Sequence, residues 1–368
     1  MDLTNSQKEI IGIFYSNKKS KVVIDKKERD KIWNNVIKHK DLDLNILSIK
    51  SKALVNQIQR SFDSGNNIQS AVFSECVYAQ TIANMLGLNI YNDCVKNPDC
   101  LSSDVINLLN ENNLVPRYSY SNDKYILIQA GGCGGVDCTL IDKNNNKIYL
   151  IEFKESYAKT SEPDLPKYGE DGVLIITEDF IKNYPQFEQM LNEHKGLNLF
   201  GEMGHNINDF SKQSVSYAVS KNYNSKKFAD IICTEDSNGY LVAIPANEIH
   251  LWSEMEGEIR PAGRNHSNVW TINALRNFLV DSKIDGDTVT VEKSKLEPRI
   301  ERGSDKKISG YKINSLFFIY TKDCIFDNEN LIFDIKKVQQ LRPTLSAKMS
   351  FKKVKYDSLQ EYYELPLG

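Results

Sequence analysis

Gly134-Gly135-Val136-Asp137-Cys138-Thr139-Leu140-Ile141-Asp142, then Lys143-Asn144-Asn145-Asn146, then Lys147-Ile148-Tyr149-Leu150-Ile151-Glu152-Phe153-Lys154. An apolar run, a polar turn and a second apolar run predict two antiparallel strands, Val136 to Asp142 and Lys147 to Lys154. Successive side chains of a strand alternate, so Leu150, Glu152 and Lys154 share one face while Ile151 and Phe153 take the other. An acid and an amine thus project together from an otherwise apolar strand. A buried carboxylate without a partner is costly, so the pair calls for a neighbouring charge or a metal ion. Asp137, on the neighbouring strand, is placed to supply a second carboxylate.

The surrounding sequence places this hairpin in an α/β frame. Upstream, Tyr125 to Gln129 reads as a strand, followed by Gly131-Gly132-Cys133-Gly134-Gly135, which lets the backbone approach a bulky polyanion. These glycines are not a P-loop, because Val136-Asp137 follows where Lys and Ser or Thr are required. Residues 5–66 read as polar helices, with Ile10, Ile11, Phe14 and Tyr15 as a first apolar face and Ile46, Leu47, Ala53, Leu54 and Ile58 as a later one. Val72, Cys76, Ala79, Ile82, Ala83 and Leu86 recur at helical spacing, predicting a helix over 68–86 that Gly87 stops and that carries Glu75. Downstream, Val173 to Thr177 reads as a buried strand before a helix from about Glu178, and Ile231–Thr234 and Tyr240–Ile244 flank Ser237-Asn238-Gly239 as a hairpin. The expectation is an α/β fold, a mixed sheet flanked by helices, with helical N-terminal and C-terminal elaborations. Its expected divisions are 1–66, 67–250 and 251–368.

Two carboxylates beside a lysine form an oxygen-rich site suited to Mg²⁺, which takes few protein ligands together with waters and a substrate phosphate. Phosphodiester hydrolysis needs an activated water and stabilisation of charge on the phosphorane oxygens. Asp137, a hairpin and Glu152-Phe153-Lys154 closing an apolar strand resemble the PD-(D/E)XK nuclease motif, with Val136 in place of its proline. The resemblance spans about residues 68–180. It implies a restriction-endonuclease-like core in which Asp137 and Glu152 hold Mg²⁺ and Lys154 assists the attacking water. Glu75, in Phe73-Ser74-Glu75-Cys76, matches the helical glutamate that joins the metal site in many members.

An acid-x-Lys triplet alone is common. Asp25-Lys26-Lys27, Asp305-Lys306-Lys307 and Asp334-Ile335-Lys336 also occur, the last after the apolar Leu331-Ile332-Phe333. It ranks below the first hairpin because Asp323 and Asp327 lie too near to come from a full neighbouring strand, and no glycine-rich approach precedes it. The bland alternative for Glu152 and Lys154 is an edge-strand ion pair worth little. For Glu75 it is an ordinary helix surface residue.

Composition bounds the remainder. The chain has 368 residues, a hydrophobic fraction of 40%, 18 Tyr, 15 Phe and a formal net charge of -3. That is globular composition, long enough for more than one lobe. The small negative total does not exclude DNA, because affinity follows local Lys and Arg placement. Between Lys295 and Lys355 basic residues outnumber acidic ones about two to one. Arg260, Arg264, Asn265 and His266 stand on a stretch, Glu258 to Trp270, that Pro261 and Gly263 mark as a loop able to read base edges or hold phosphate. Lys336, Lys337 and Arg342 are further DNA-binding candidates. Seven Cys without a C-x-x-C pair, and five scattered His, argue against a disulfide framework or a zinc site.

With no apolar run of membrane-spanning length and no signal-peptide order at the first residues, a cytoplasmic protein is expected, without a membrane partner. The resemblance implies a Mg²⁺-dependent type II restriction endonuclease acting on double-stranded DNA. Such an enzyme is expected to work as a homodimer, paired in its host with a cognate DNA methyltransferase. A catalytically silent DNA-binding module of the same fold and a structure-specific repair or recombination nuclease are the alternatives. Incubation of plasmid with protein and Mg²⁺ separates the three.

Overall fold

The segments flagged by period and capping become the scaffold of a computed structural model describing residues 3–39, 44–65, 70–131, 136–160, 167–168, 174–175, 178, 182, 229–266, 279, 282–300, 307–313 and 317–364. Helix α1 (Asn5–Tyr15) opens on a capping box. The Thr4 hydroxyl accepts from the Gln7 N–H, and the Gln7 side chain accepts from the Thr4 N–H. Its expected face, Ile10, Ile11, Phe14 and Tyr15, is buried. Helix α2 (Lys26–His39) follows Asp25, whose carboxylate accepts from the Glu28 N–H at 2.8 Å. The triplet Asp25-Lys26-Lys27 is therefore a helix start. Helices α3 (Leu44–Ser48), α4 (Lys52–Ser64) and α5 (Ser70–Met85) follow. Beyond α5, Gly87 takes φ 64°, and the Leu88 N–H turns back to the Ala83 carbonyl. Any side chain there would be strained, so the helix stops where the sequence indicates.

Strand β1 (Ile90–Asp93), helix α6 (Ser103–Glu111) and strands β2 (Val115–Ser121), β3 (Tyr125–Gly131), β4 (Cys138–Asp142) and β5 (Lys147–Phe153) come next. Past β6 (Tyr157–Thr160) and the paired β7 (Lys167–Tyr168) and β8 (Leu174–Ile175), the chain returns as β9 (Ile231–Glu235) and β10 (Leu241–Pro245). The main sheet has seven strands in the order β1-β2-β3-β4-β5-β9-β10. Only β5 and β9 run parallel, so the sheet is mixed as expected. The Asn144-Asn145-Asn146 turn is present: Asp142 accepts from the Asn144 N–H, and Asn146 takes φ 51°. The β9–β10 hairpin is also present.

All residues of β4, β9 and β10 are buried, the mark of strands covered on both faces. Last in the order, β10 is covered by α1 and by α8 (Tyr356–Glu364), which follows α7 (Ile249–Trp252). The Tyr15 hydroxyl donates to the Ala243 carbonyl at 2.8 Å, and its ring lies 5.2 Å from that of Tyr356. Helix α5 packs on β3 and β5 and is buried on more than one face, through Phe73, Cys76, Val77, Tyr78, Ala79, Ile82 and Ala83. Cys76, Cys94, Cys138 and Cys233 are buried free thiols, and the Cys94 and Cys100 sulfurs lie 3.2 Å apart.

The chain divides into two compact units that are not colinear with it. One comprises Met1–Ala158, Ser220–Met255 and Met349–Gly368; the other comprises Lys159–Val219 and Glu256–Lys348. The second unit draws on β11 (Glu254–His266), β12 (Lys283–Asp285), β13 (Thr288–Glu292), β14 (Glu297–Ile300), β15 (Ile308–Lys312), β16 (Phe317–Tyr320), β17 (Cys324–Asp327), β18 (Asn330–Asp334) and β19 (Gln339–Ser350). These strands lie in two sheets, β11-β19-β16-β15-β14 and β12-β13-β18-β17.

Two expectations are corrected here. The stretch carrying Arg260, Arg264, Asn265 and His266 is strand β11 as far as His266, and not a loop. Pro261 is tolerated because β11 ends its sheet order, and an edge strand need not donate on both sides. Residues 267–270, with Trp270, lie outside those described. The second correction concerns Asp334-Ile335-Lys336. Strands β17 and β18 are adjacent, joined by a two-residue turn with Asn328 at φ 50°, so Asp327 does come from a neighbouring strand. What disqualifies this triplet is its setting. Asp334 is exposed and caps the Lys336 N–H at 2.8 Å, while the Lys336 ammonium pairs with Asp287 in solvent. Asp305 and Lys306 of the third triplet lie outside the described residues, and Lys307 is exposed.

Candidate active site

The site stands where β4 begins and β5 ends. Cys138 pairs with Ile151, which sets Asp137 beside Glu152 one step further along. Asp137 is held at both ends. Its carbonyl accepts from the Ala130 N–H at 3.1 Å, and its Oδ2 accepts from the Phe153 N–H at 2.8 Å. Glu152 is 3% exposed, between β4 and the parallel β9, where it pairs in register with Ile232. The Lys154 N–H continues that ladder to the Cys233 carbonyl at 2.9 Å, and its ammonium donates to Glu152 Oε1. The strand register thus brings together the aspartate, glutamate and lysine singled out from the sequence.

Glu75 reaches the same group from α5. Two contacts fix the helix against the end of β5 on either side of it. The Ser74 hydroxyl donates to Glu155, and the Tyr78 ring meets the Phe153 ring edge-on with centroids 5.7 Å apart. Glu75 then lies within the electrostatic reach of Asp137, Glu152 and Lys154.

The electrostatics are those of crowded carboxylates. Burial, then the charges of Glu152 and Glu75, push the Asp137 carboxyl up to about 7 against the opposing pull of Lys154 and the Phe153 N–H. Burial and Glu152 likewise raise Glu75, opposed by Arg117 and Lys154. Burial works to lower Lys154, but Glu152, Asp137 and Glu75 together outweigh it, and its affinity for the proton rises. Lys154 is therefore an ammonium at neutral pH, a donor and a positive charge and not a base. The surplus of negative charge is what a divalent cation would relieve, and the donors are hard oxygens.

Among the described residues no group of three His, Cys, Asp or Glu side chains is positioned to hold a metal ion by itself. Mg²⁺ does not require one, since it binds through one or two carboxylates and completes its shell with waters and substrate oxygens. Asp137 and Glu152 fit that demand.

Some members of this neighbourhood were not foreseen. Arg117, at an irregularity of β2, acts on Glu75. Gln129, fully buried on β3, donates to the Cys76 sulfur at 3.5 Å beside Glu75. Arg29 and Glu235 form a buried ion pair near the Tyr78 ring. Only Arg117 had a visible signal: a proline just before it in an otherwise alternating strand, which marks an edge or a bulge. The proposed DNA-binding residues belong to the other unit: Arg260, Arg264, Asn265 and His266 on β11, Arg342 on β19, and Lys336 and Lys337 on a 3-10 turn after β18. Lys336 and Lys337 are exposed, whereas the side chains of Arg260, Arg264, Asn265, His266 and Arg342 lie outside the described residues.

No protein-family model matches this chain, and no curated protein matches it in sequence. Among solved structures, HhaI endonuclease in complex with DNA aligns with 71% of this chain and 96% of its own, at 11% identity and a TM-score of 0.29. A likeness of that score carries no argument.

Proposed function

We propose that this protein is a divalent-metal-dependent endonuclease of the PD-(D/E)XK kind, cutting double-stranded DNA as a type II restriction enzyme does. The observation that carries the reading is the Asp137–Glu152–Lys154 group where β4 and β5 meet, Glu152 buried and its two partners half-buried, with Glu75 within electrostatic reach from α5. Asp137 and Glu152 would hold Mg²⁺, with Glu75 near enough to contribute through its charge. A bound divalent ion supplies charge neutralisation at the phosphate and activation of water. The chain's own groups do the positioning. The Phe153 N–H orients Asp137, and the protonated Lys154 donates a hydrogen bond to the incoming water or a phosphate oxygen. Cutting both strands at one locus calls for two such sites, so the proposal extends to a homodimer, and a host methyltransferase would protect the same sequence.

Plasmid incubated with the full chain and Mg²⁺ is expected to give discrete fragments, and Mn²⁺ to substitute. Ca²⁺ is expected to support binding with little turnover, and excess EDTA to abolish cleavage. Undiminished cutting in EDTA would remove metal catalysis from the account. Nicked or junction-specific products would favour a repair nuclease, and binding without cleavage a silent module.

Sequence choice is assigned to the second unit. Arg260, Arg264, Asn265 and His266 lie on β11, whose sheet neighbour β19 carries Arg342. Strands at a sheet edge are among the elements that read the major groove, where Arg pairs with guanine and Asn with adenine. Arg264→Ala is expected to weaken cognate binding by about 1–3 kcal/mol and scrambled duplex by less. Equal weakening of both, with a shallower salt dependence, reassigns it to phosphate; no change at any salt concentration takes it out of the interface.

A further inference from the structure

We propose that Arg117 is a phosphate-binding residue of this site, its guanidinium gripping the DNA backbone beside the phosphate that is cut. This rests on the nuclease reading and names a residue that reading does not use.

The backbone makes the first argument. Strand β2 pairs Pro116 with Ala130 and Tyr118 with Gln129, leaving Arg117 as an extra residue without a partner on β3. That is a β-bulge, the device by which a strand re-aims a side chain, and Pro116 with no N–H to donate favours it. Ala130, opposite the bulge, is also the residue whose N–H holds the Asp137 carbonyl, so bulge and aspartate are aligned across three adjacent strands. From the other side the Cys94 N–H donates to the Arg117 carbonyl at 3.0 Å. The bulge is therefore anchored, and it sits on the line that leads to the catalytic group.

Charge makes the second. Beside the bulge opposite Ala130, the Arg117 guanidinium opposes the burial that raises the Glu75 carboxyl and the Cys76 thiol. Yet among the described residues Arg117 makes no ion pair and no side-chain hydrogen bond. Its neighbours differ. Arg60 is paired with Asp93 and packs over the Tyr118 ring at 5.0 Å, and Lys154 is bonded to Glu152. A half-buried guanidinium within the charge reach of Glu75, its planar fork unfilled among the described residues, suits a bidentate oxyanion. A DNA phosphate is the oxyanion this site would meet.

The test uses the full chain with R117A, R117Q and R117K, each checked for an unchanged urea midpoint. Binding to a short mixed-sequence duplex is measured in Ca²⁺ over a salt series, and plasmid cleavage in Mg²⁺. R117A and R117Q are expected to bind about tenfold more weakly at low salt. The slope of log affinity against log salt should become shallower by about 0.9, the value of one lost phosphate contact. R117K should keep the slope, because charge is retained, and lose cleavage rate, because the fork is not. If Arg117 only steadied Glu75, cleavage would fall with affinity and slope unmoved, and that result overturns the assignment. Should the unmodified protein neither bind nor cut DNA, the nuclease reading falls and this assignment with it. Binding and cutting by the unmodified protein with an unaltered R117Q slope removes this assignment alone.

Discussion

Glu152→Gln is expected to abolish plasmid cleavage, by a factor on the order of 10³ or more, while leaving the protein folded. The two halves of that expectation have different origins. Activity is lost because the variant removes a charged oxygen ligand from a strand position that bonds Lys154 and stands in register beside Asp137. Stability is retained because Glu152 is one of three like-charged groups in a buried space, where its charge pushes on both Asp137 and Glu75. Replacing it by a neutral isostere relieves that repulsion, and the amide oxygen can still accept from the Lys154 ammonium. The urea midpoint of the variant should therefore equal or exceed that of the unmodified protein. Asp137→Asn and Lys154→Ala are expected to be equally inactive. Lys154→Ala should also be less stable without metal, because it takes away the ammonium that offsets the carboxylates. Cleavage by Glu152→Gln at the unmodified rate, in a preparation free of contaminating nuclease, would remove the group from catalysis.

What the sequence could reveal depended on how local the signal was. The β4–β5 hairpin was legible because period-two apolar runs and an Asn-rich turn lie within twenty residues, and side-chain alternation then set Glu152 and Lys154 on one face. The α5 boundary was legible from Gly87, and the β9–β10 hairpin from Ser237-Asn238-Gly239. Strand β11 was misread because Pro261 and Gly263 read as loop signals unless the strand is known to lie at a sheet edge, and edge position is a property of topology. The tight β17–β18 turn was missed because Asn328-Glu329 lacks the glycine that usually announces it. The bulge at Arg117 depends on pairing with β3, so Pro116 hinted at an irregularity without saying what it would aim at.

Arg29 was the least legible residue, and its replacement is expected to have the largest effect on stability. In Asp25-Lys26-Lys27-Glu28-Arg29-Asp30-Lys31 it looks like one charge on a solvated helix face. In the fold its side chain is 4% exposed and pairs at 2.6 Å with Glu235, itself 7% exposed and distant in sequence. A second guanidinium nitrogen donates to the Ile24 carbonyl at 2.7 Å, and the group lies 5.5 Å from the Tyr78 ring centroid. The pair thereby joins the start of α2 to the end of β9, the strand whose parallel register with β5 holds Glu152. Arg29→Met would leave the Glu235 carboxylate buried without its cation. Breaking such a pair from one side costs about 3–5 kcal/mol, because the remaining charge stays desolvated. Replacing both partners removes that penalty, so Arg29→Met/Glu235→Met is expected to recover most of the loss and to match or exceed the unmodified protein. Urea unfolding of the two single variants and the double variant measures the coupling directly. Additive losses in the double variant would show that packing of the arginine stem, and not charge pairing, sets the cost. Cleavage by the refolded variants well below their unfolding midpoints should match that of the unmodified protein, since neither residue belongs to the Asp137–Glu152–Lys154 group.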